Sequence, residues 1–210
     1  ASGETISAPL VISSADPRAA LGDVASELDP EFVCAVRHIK CRGVVARATI
    51  PLQQPADFTR LCLAPSLEYL ERAYDDAKYG RDSTAPYVEA AAYDGRLEVH
   101  AQYAPFAGAA PNPKRHQALR ERVAQLLGRA PDELTLETPD DLQARAGVTE
   151  GHLYHGELTL DQILFMRPVP GWSRYRTPLA GLYLCGPGTH PGGGIAGAAG
   201  RNAAGVILND

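Results

Sequence analysis

The residues best suited to chemistry in this sequence lie in one glycine-rich stretch. The run LYLCGPGTHPGGGIAGAAGRNAAGVIL covers residues 182–208, and eight of the chain's twenty glycines fall between Gly186 and Gly205. A buried strand, predicted over Gly181 to Cys185, leads directly into this run. Exposed backbone N–H groups in such a turn, together with the positive end of a helix macrodipole, favour a bound anion or nucleotide.

A helix from about Ile195 to Leu208 is predicted to follow the turn, although its composition disfavours it. Gly197, Gly200 and Gly205 would each cost about 1 kcal/mol relative to alanine in a helix interior. Close approach of a flat ligand or of another backbone would offset that cost. Small residues that only pack a helix against a sheet are the alternative, but that alternative leaves the consecutive glycines Gly192 to Gly194 without a reason. The turn is not a Walker A loop, because the Gly-Lys-Ser/Thr ending is absent.

Two side chains inside the turn could act on a bound ligand. His190 is the candidate catalytic residue, with capping of the turn by its ring nitrogens as an equal alternative. Thr189 is the weaker candidate, because a hydroxyl in a turn usually bonds to the local backbone. His152 and His155 have an i, i+3 spacing that metal ligands can use, but no further ligand lies near them in the sequence, so no metal site is predicted.

Other polar residues are candidates for the substrate side of a site. Tyr175 belongs to a polar set with Arg167 and Arg176 that either contacts substrate or holds the connecting loop, and the structural role is favoured. Arg201 could reach a cofactor phosphate or a neighbouring strand.

Composition and charge exclude several classes of function. The net charge is −5 and the pI is about 5.7, with acidic and basic residues interspersed, so the clustered basic face of a nucleic-acid-binding protein is absent. No apolar run approaches the roughly 20 residues that span a bilayer. The four cysteines have no CxxC spacing and are predicted to be reduced, buried thiols of a cytoplasmic protein. They are Cys34, Cys41, Cys62 and Cys185.

Short strands and proline-initiated helices are predicted around the middle of the chain. Leu10 to Ile12 predicts a strand buried on both faces, and Asp16-Pro17 and Asp29-Pro30 predict helix starts. In the middle, RLEVHAQYA alternates apolar and polar residues and is predicted to pair with Val88 to Tyr93 across an Asp94-Gly95 turn. Further strands are predicted at Val44–Ile50 and Arg60–Leu63, and further helices at Ser66–Tyr79, Lys114–Leu127 and 138–147. The inward face of the helix at Ser66–Tyr79 is predicted to consist of Leu67, Leu70, Tyr74 and Ala77.

The glycine-rich run carries a family resemblance. GLYLCGPGTHPGGGIAGAAGRNAA resembles the C-terminal flavin-contacting segment of the phytoene desaturase-like FAD-dependent oxidoreductases, and HGELTLDQILFMRPVPGWSRYRTPLAGLYLCG narrows the resemblance to one branch of them. SGETISAPLVISSADP resembles the strand pair that precedes their substrate domain. The resemblance implies an α/β fold, the C-terminal part of an FAD/NAD(P)-binding fold with an inserted substrate domain of antiparallel sheet plus helices. Residues 1–17 and 150–210 would then form a partial FAD-binding domain, and residues 18–149 the substrate domain.

The same resemblance implies a cofactor and a reaction. FAD would lie with its pyrimidine end beside the turn, and hydride would pass between a carbon of a small apolar substrate and flavin N5, in a dehydrogenation, desaturation or saturation. The N–H groups of Gly193, Gly194 and Ile195 would face the flavin, whose reduced form carries negative charge near N1 and O2. The cofactor-binding residues carried over are Gly186, Gly188, Thr189, Gly192, Gly193, Gly194 and Ile195. The resemblance also implies that the substrate could be lined by His155, Asp161, Gln162 and Tyr175. For the first three, a structural hydrogen-bonding role is an equal alternative.

One part of the family pattern has no counterpart here. Members bind the ADP half of FAD with a GxGxxG turn directly after a strand near the start of the domain. We therefore interpret the chain as a C-terminal fragment that is inactive alone, binds FAD weakly or not at all, and has the missing N-terminal half of the enzyme as its partner; a homo-oligomer is a further expectation. The alternative is a non-catalytic binding or assembly module that retains a remnant of the fold.

Overall fold

Two short parallel strands carry the glycine-rich run. The computed structural model describes residues 5–108, 112–193 and 197–210, and within them strand β1 (Val11–Ser13) pairs in parallel with strand β7 (Leu182–Leu184). The register sets Ile12 opposite Tyr183. The fold is mixed α/β, because the chain also forms an antiparallel sheet from the strands between β1 and β7.

The chain divides into two compact units. The first comprises Ala1–Cys41 with Leu153–Asp210, and the second comprises Arg42–His152. The predicted boundary lay at residue 18, but helices α1 (Pro17–Gly22) and α2 (Pro30–Arg37) belong to the first unit, because their apolar residues share a core with β7. The assignment of these units to FAD binding and to substrate binding stays a prediction.

Proline-initiated helices build the core of the first unit. Asp16 and Asp29 cap α1 and α2 by accepting hydrogen bonds from first-turn N–H groups, as their Asp-Pro sequences predict. Leu21, Phe32 and Leu184 are buried together in this core. The last helix, α6, runs from Ala198 to Ile207 and packs Ala199 and Ala203 against Tyr175.

Strand β1 is far more exposed than its sequence predicts. Val11 is 49% exposed and Ile12 is 51% exposed, whereas Tyr183 and Leu184 of the paired strand are buried. The prediction that this strand is buried on both faces is therefore wrong for the described chain. The reason is that β7 is the sole sheet neighbour of β1 among the described residues.

An antiparallel five-stranded sheet forms the second unit. The strands are β2 (Val45–Pro51), β3 (Arg60–Leu63), β4 (Tyr87–Tyr93), β5 (Arg96–Gln102) and β6 (Thr135–Glu137). The helices are α3 (Leu67–Lys78), α4 (Pro113–Leu127) and α5 (Pro139–Ala146). The strand order is β3-β4-β5-β2-β6, and the predicted β4–β5 hairpin turns at Asp94-Gly95. One face of the sheet supplies the core, where Val88 and Val99 pack with Val123 of α4.

Two burial predictions differ from the structure in detail. Helix α3 buries Ala73 and Ala77, while Leu67 is 83% exposed and Tyr74 is 39% exposed, because the helix turns its alanine stripe inward instead of its long side chains. The cysteines are free, but Cys41 alone is fully buried, Cys185 is half-buried, and the other two are exposed.

Within the described ranges, no helix combines the length and the apolar character needed to cross a bilayer.

Candidate functional site

The glycine loop, residues 186–193, begins where the parallel strands end. Strand β7 ends at Leu184 and β1 ends at Ser13, so the loop lies at the carboxyl ends of both strands. In open α/β sheets this is the edge at which ligands bind. Helix α6 begins at Ala198 instead of the predicted Ile195, because Gly197 has a φ of +64°, a left-handed conformation that ends a helix rather than continuing it.

The glycine loop presents backbone donors with no described acceptor. Within the described part of the loop, Thr189 alone donates its N–H to an acceptor, the Gly186 carbonyl at 3.0 Å, and its hydroxyl donates to the same carbonyl at 2.8 Å. The N–H groups that donate to no described atom are those of Gly186, Gly188, His190, Gly192 and Gly193. Gly192 and Gly193 provide two successive unpaired N–H groups, the arrangement that binds anions in backbone nests.

The chain's own packing requires several of these glycines. A Cβ on Gly188 would lie 2.5 Å from Cδ of Pro17, and a Cβ on Gly193 would lie 2.5 Å from a ring carbon of Tyr154. A Cβ on Gly186 would collide with the carbonyl oxygen of Ser14. Gly192 has a φ of +107°, which side chains rarely adopt. A bound ligand is therefore not needed to explain the glycines at these positions.

The two glycines inside α6 have no such explanation within the described chain. A Cβ on Gly200 or Gly205 would meet no described atom within 4 Å. Both are exposed, so each costs about 1 kcal/mol relative to alanine with no described contact to offset it. Gly197, before the helix, is explained by its positive φ.

A buried arginine fixes the glycine loop to the segment that precedes it. Arg167 is 2% exposed, and its guanidinium donates hydrogen bonds of 2.5–3.0 Å to backbone carbonyls. The accepting carbonyls belong to Tyr154, Gly156, Glu157, Gln162 and Pro187. Burial lowers the pKa of this guanidinium from its usual value. The favoured structural role of Arg167 agrees with these contacts, although no feature of the sequence indicates that one side chain would hold five carbonyls.

His155 lies against the loop as a neutral imidazole. A Cβ on Gly188 would lie 3.1 Å from Cβ of His155, and a Cβ on Gly186 would lie 3.4 Å from its Nδ1. That Nδ1 is buried and has no hydrogen-bond partner among the described residues. Burial lowers the pKa of His155 and Arg167 lowers it further, while Asp16 raises it. A neutral ring at this position can accept a hydrogen bond or a proton from a ligand.

Tyr175 forms a hydrogen bond with His190 of the glycine loop. The Tyr175 hydroxyl donates to the backbone carbonyl of His190 at 2.9 Å, and Tyr175 itself is 5% exposed. His190 Nδ1 is buried without a described partner. Both residues line a pocket beside α6. Tyr175 thus positions the loop, and His190 keeps ring nitrogen capacity for a ligand.

Asp161 and Gln162 form hydrogen bonds and an ion pair with Lys40, not with the glycine loop. Gln162 is 7% exposed, accepts a hydrogen bond from the Lys40 N–H at 2.6 Å and donates to the Lys40 carbonyl at 2.9 Å. Asp161 pairs with the Lys40 ammonium at 2.9 Å, and the nearby Thr159 side chain and this ammonium lower the pKa of Asp161 to about 2. These contacts match the structural alternative for both residues. Gly194 and Ile195, the remaining predicted cofactor-binding residues, lie outside the described residues.

Two mammalian proteins named as oxidoreductases match nearly the whole chain. No family model matches the chain. Pyridine nucleotide-disulfide oxidoreductase domain-containing protein 2 of Rattus norvegicus is 29% identical over 253 residues, which covers 99% of this chain and 43% of that protein. The Mus musculus protein of the same name is 29% identical over 248 residues, with the same coverage. This chain is a homologue of both.

These relatives are the ones that the predicted branch indicated. The segment before the glycine loop resembles the branch of pyridine nucleotide-disulfide oxidoreductase domain-containing protein 2. The predicted similarity to this branch is therefore confirmed. A protein of Castellaniella defragrans, named as a limonene dehydrogenase component, is 40% identical over 60 residues, 29% of this chain and 11% of that protein. The chain spans 43% of the length of the two mammalian relatives.

Proposed function

We propose that the chain is the C-terminal portion of an FAD-dependent oxidoreductase. Homology across nearly the whole chain to proteins named as oxidoreductases supports the reaction class. The observation that carries the proposal is the glycine loop itself, in which donors without described acceptors lie at the carboxyl ends of two parallel strands. The 43% coverage of the relatives supports the view that the rest of the cofactor site is formed by other parts of a longer protein.

The described loop fits one end of a flavin. Its unpaired N–H groups suit an electronegative ring edge, and the buried Nδ1 atoms of His155 and His190 leave hydrogen-bonding capacity beside it. When bound, FAD would supply the hydride chemistry at its N5. The N–H groups of Gly192 and Gly193 would hold the pyrimidine edge and stabilise negative charge there.

The remaining residues of the site position this loop. Arg167 holds the carbonyl of Pro187 at 2.8 Å, and Tyr175 holds that of His190, so the loop is fixed on both sides of Thr189. His155, whose pKa is lowered by burial, would accept a hydrogen bond without adding positive charge. Fixed donors of this kind stabilise charge without reorganising, which is the contribution a protein makes to cofactor chemistry.

We further propose that the substrate is a small apolar molecule. The support is the 60-residue match to a protein named for limonene dehydrogenase, since limonene is a hydrocarbon. A hydrocarbon offers no groups for hydrogen bonding, so its recognition would rest on shape and on apolar walls.

The exposed strand β1 supports the proposed partner. Parallel strands are normally buried on both faces, yet Val11 and Ile12 are about half exposed. Further parallel strands from an N-terminal half of the enzyme would cover them. The same exposed residues would also serve the alternative candidates, a non-catalytic assembly module or a homo-oligomer.

An anaerobic titration of the protein, expressed from its intact reading frame, separates them. Small unsaturated hydrocarbons are added, and the visible flavin absorbance is followed, with their alcohol derivatives as the polar comparison. Bleaching by a hydrocarbon supports the proposed reaction. Bound flavin that only polar substrates bleach contradicts the apolar substrate, and a protein that takes up no FAD contradicts the enzyme.

A further inference from the structure

A second feature of the first unit lies on the side of α6 that carries Arg201. The pocket there is an open depression of about 560 Å³, lined by residues of α6, of the segment before β7 and of the glycine loop. Two arginines line it, Arg174 and Arg201. Both are exposed, and neither makes a hydrogen bond or an ion pair with any described residue.

The charge of this pocket is opposite to that of the chain. None of its described lining residues is an aspartate or glutamate, although the chain as a whole carries −5. The neighbouring arginine, Arg176, shows the contrast, because it pairs with Asp210. Two guanidinium groups without acidic partners attract an anion, and their planar forks suit the paired oxygens of a phosphate or carboxylate.

Further polar groups line the pocket and have no described partner. Ser173 and Asn202 make no side-chain hydrogen bond to a described residue. They supply a hydroxyl and an amide group beside the two guanidiniums. A polar ligand would satisfy groups that the described chain leaves unsatisfied.

One lining residue of the pocket is a glycine and adds no side chain to it. Gly205 lines it, lies inside α6, and has no described atom within 4 Å of the place where a Cβ would stand. An exposed helix glycine costs about 1 kcal/mol relative to alanine, and no packing of the described chain requires it. This observation is independent of the charges and agrees with an occupant in the pocket.

We propose that this pocket binds a phosphorylated small molecule. The two arginines would bind the phosphate, and Phe165, which is 66% exposed at the pocket wall, would contact the apolar part of the ligand. A volume of about 560 Å³ exceeds what one phosphate fills and lies within the range of small-molecule sites. The site does not depend on the proposed redox function, since none of these contacts involves a flavin.

Isothermal titration calorimetry with pyrophosphate and with phenyl phosphate tests the site. The protein from the intact reading frame is compared with the double variant Arg174→Gln/Arg201→Gln and with the matched control Arg60→Gln, which removes an exposed arginine outside the pocket. We expect the double variant to bind at least about tenfold more weakly and the control to bind like the wild type. Equal affinity in the double variant and the wild type, or no measurable binding by the wild type, would overturn the proposal.

A glycine pair provides a second test that does not alter charge. Gly205→Leu places a side chain in the pocket, while Gly200→Leu places one at an exposed position of the same helix that does not line it. Loss of pyrophosphate binding in the first variant alone supports the site, and equal binding in both contradicts it.

The flavin content of the arginine variant identifies the source of the phosphate. If flavin content falls and pyrophosphate competes with FAD, the pocket holds a dinucleotide diphosphate. If flavin content is unchanged while pyrophosphate binding is lost, the ligand is a separate phosphorylated molecule. Both results support the anion site, and the spectrum of the wild type reports on the flavin independently.

Discussion

The phenolic hydroxyl of Tyr175 donates to the backbone carbonyl of His190 at 2.9 Å. The tyrosine is buried against Ala199 and Ala203 of α6, so this one hydrogen bond joins the last helix to the glycine loop. Arg167 holds the same loop at a second point, the carbonyl of Pro187. A loop held at two points keeps its N–H groups in place for a ligand.

Removal of this hydroxyl is the mildest way to loosen the loop. Tyr175→Phe is expected to lower the free energy of unfolding by about 1 kcal/mol, the net worth of one hydrogen bond, and to reduce the flavin retained after gel filtration. The measurements are urea denaturation and the ratio of visible to ultraviolet absorbance. Tyr103→Phe is the control, because no hydrogen bond of the Tyr103 hydroxyl is found among the described residues. Equal flavin retention in both variants would contradict the positioning role.

Arg167 is expected to be the most sensitive side chain of the first unit. Arg167→Lys retains the charge but loses the planar fork, leaving several buried carbonyls without donors, so the free energy of unfolding should fall by about 3 kcal/mol or more. Urea denaturation measures the change. Arg60→Lys, at an exposed strand position, should change it by less than about 0.5 kcal/mol. A loss as small as that in Arg167→Lys would show that the carbonyl contacts contribute little.

Loop glycines and exposed helical glycines should respond in opposite directions. Gly188→Ala places a Cβ 2.5 Å from the ring of Pro17 and should destabilise the protein by about 1–3 kcal/mol. Gly22→Ala, in α1 with nothing within 4 Å, should be neutral or stabilise by about 0.5–1 kcal/mol. Thermal melts of the two variants give the comparison. A Gly188→Ala protein as stable as the wild type would mean that the close approach to Pro17 is not required.

The neutral His155 predicts a loss of stability in mild acid. Its pKa in the folded protein is lowered from the usual 6.5, so the unfolded chain binds its proton first as the pH falls. Its contribution is complete above pH 6.5 and declines below it, with a slope of at most about 1.4 kcal/mol per pH unit because a single site exchanges no more than one proton.

The difference between the variant and the wild type isolates this effect. His155→Gln should flatten the decline of the unfolding free energy below pH 6.5. Denaturant titrations at a series of pH values give the curves. An unchanged slope in His155→Gln would contradict a buried, neutral imidazole.

Local signals predicted much of the fold. Asp-Pro caps placed α1 and α2, alternation placed β5, and the Asp94-Gly95 turn placed the hairpin, because each depends on interactions within a few residues. The exposure of β1 was not predictable in this way. Its apolar run indicates a buried parallel strand, but burial depends on neighbours that the described chain does not supply.

In the candidate site too, local features were predictable from the sequence and long-range contacts were not. The glycine loop and its position after β7 followed from the sequence, whereas the reasons for individual glycines did not. Gly188 and Gly193 avoid Pro17 and Tyr154, which are distant in sequence. The carbonyl clamp of Arg167 and the pocket between Arg174 and Arg201 likewise require three-dimensional proximity, which spacing along the chain does not encode.

A visible absorption spectrum shows whether the glycine loop is one end of a flavin site. The protein from the intact reading frame is purified, incubated with FAD and passed through a gel-filtration column. We expect flavin bands that co-elute with the wild-type protein and are diminished in Tyr175→Phe. A folded, colourless protein that retains no added FAD would rule out the flavin site.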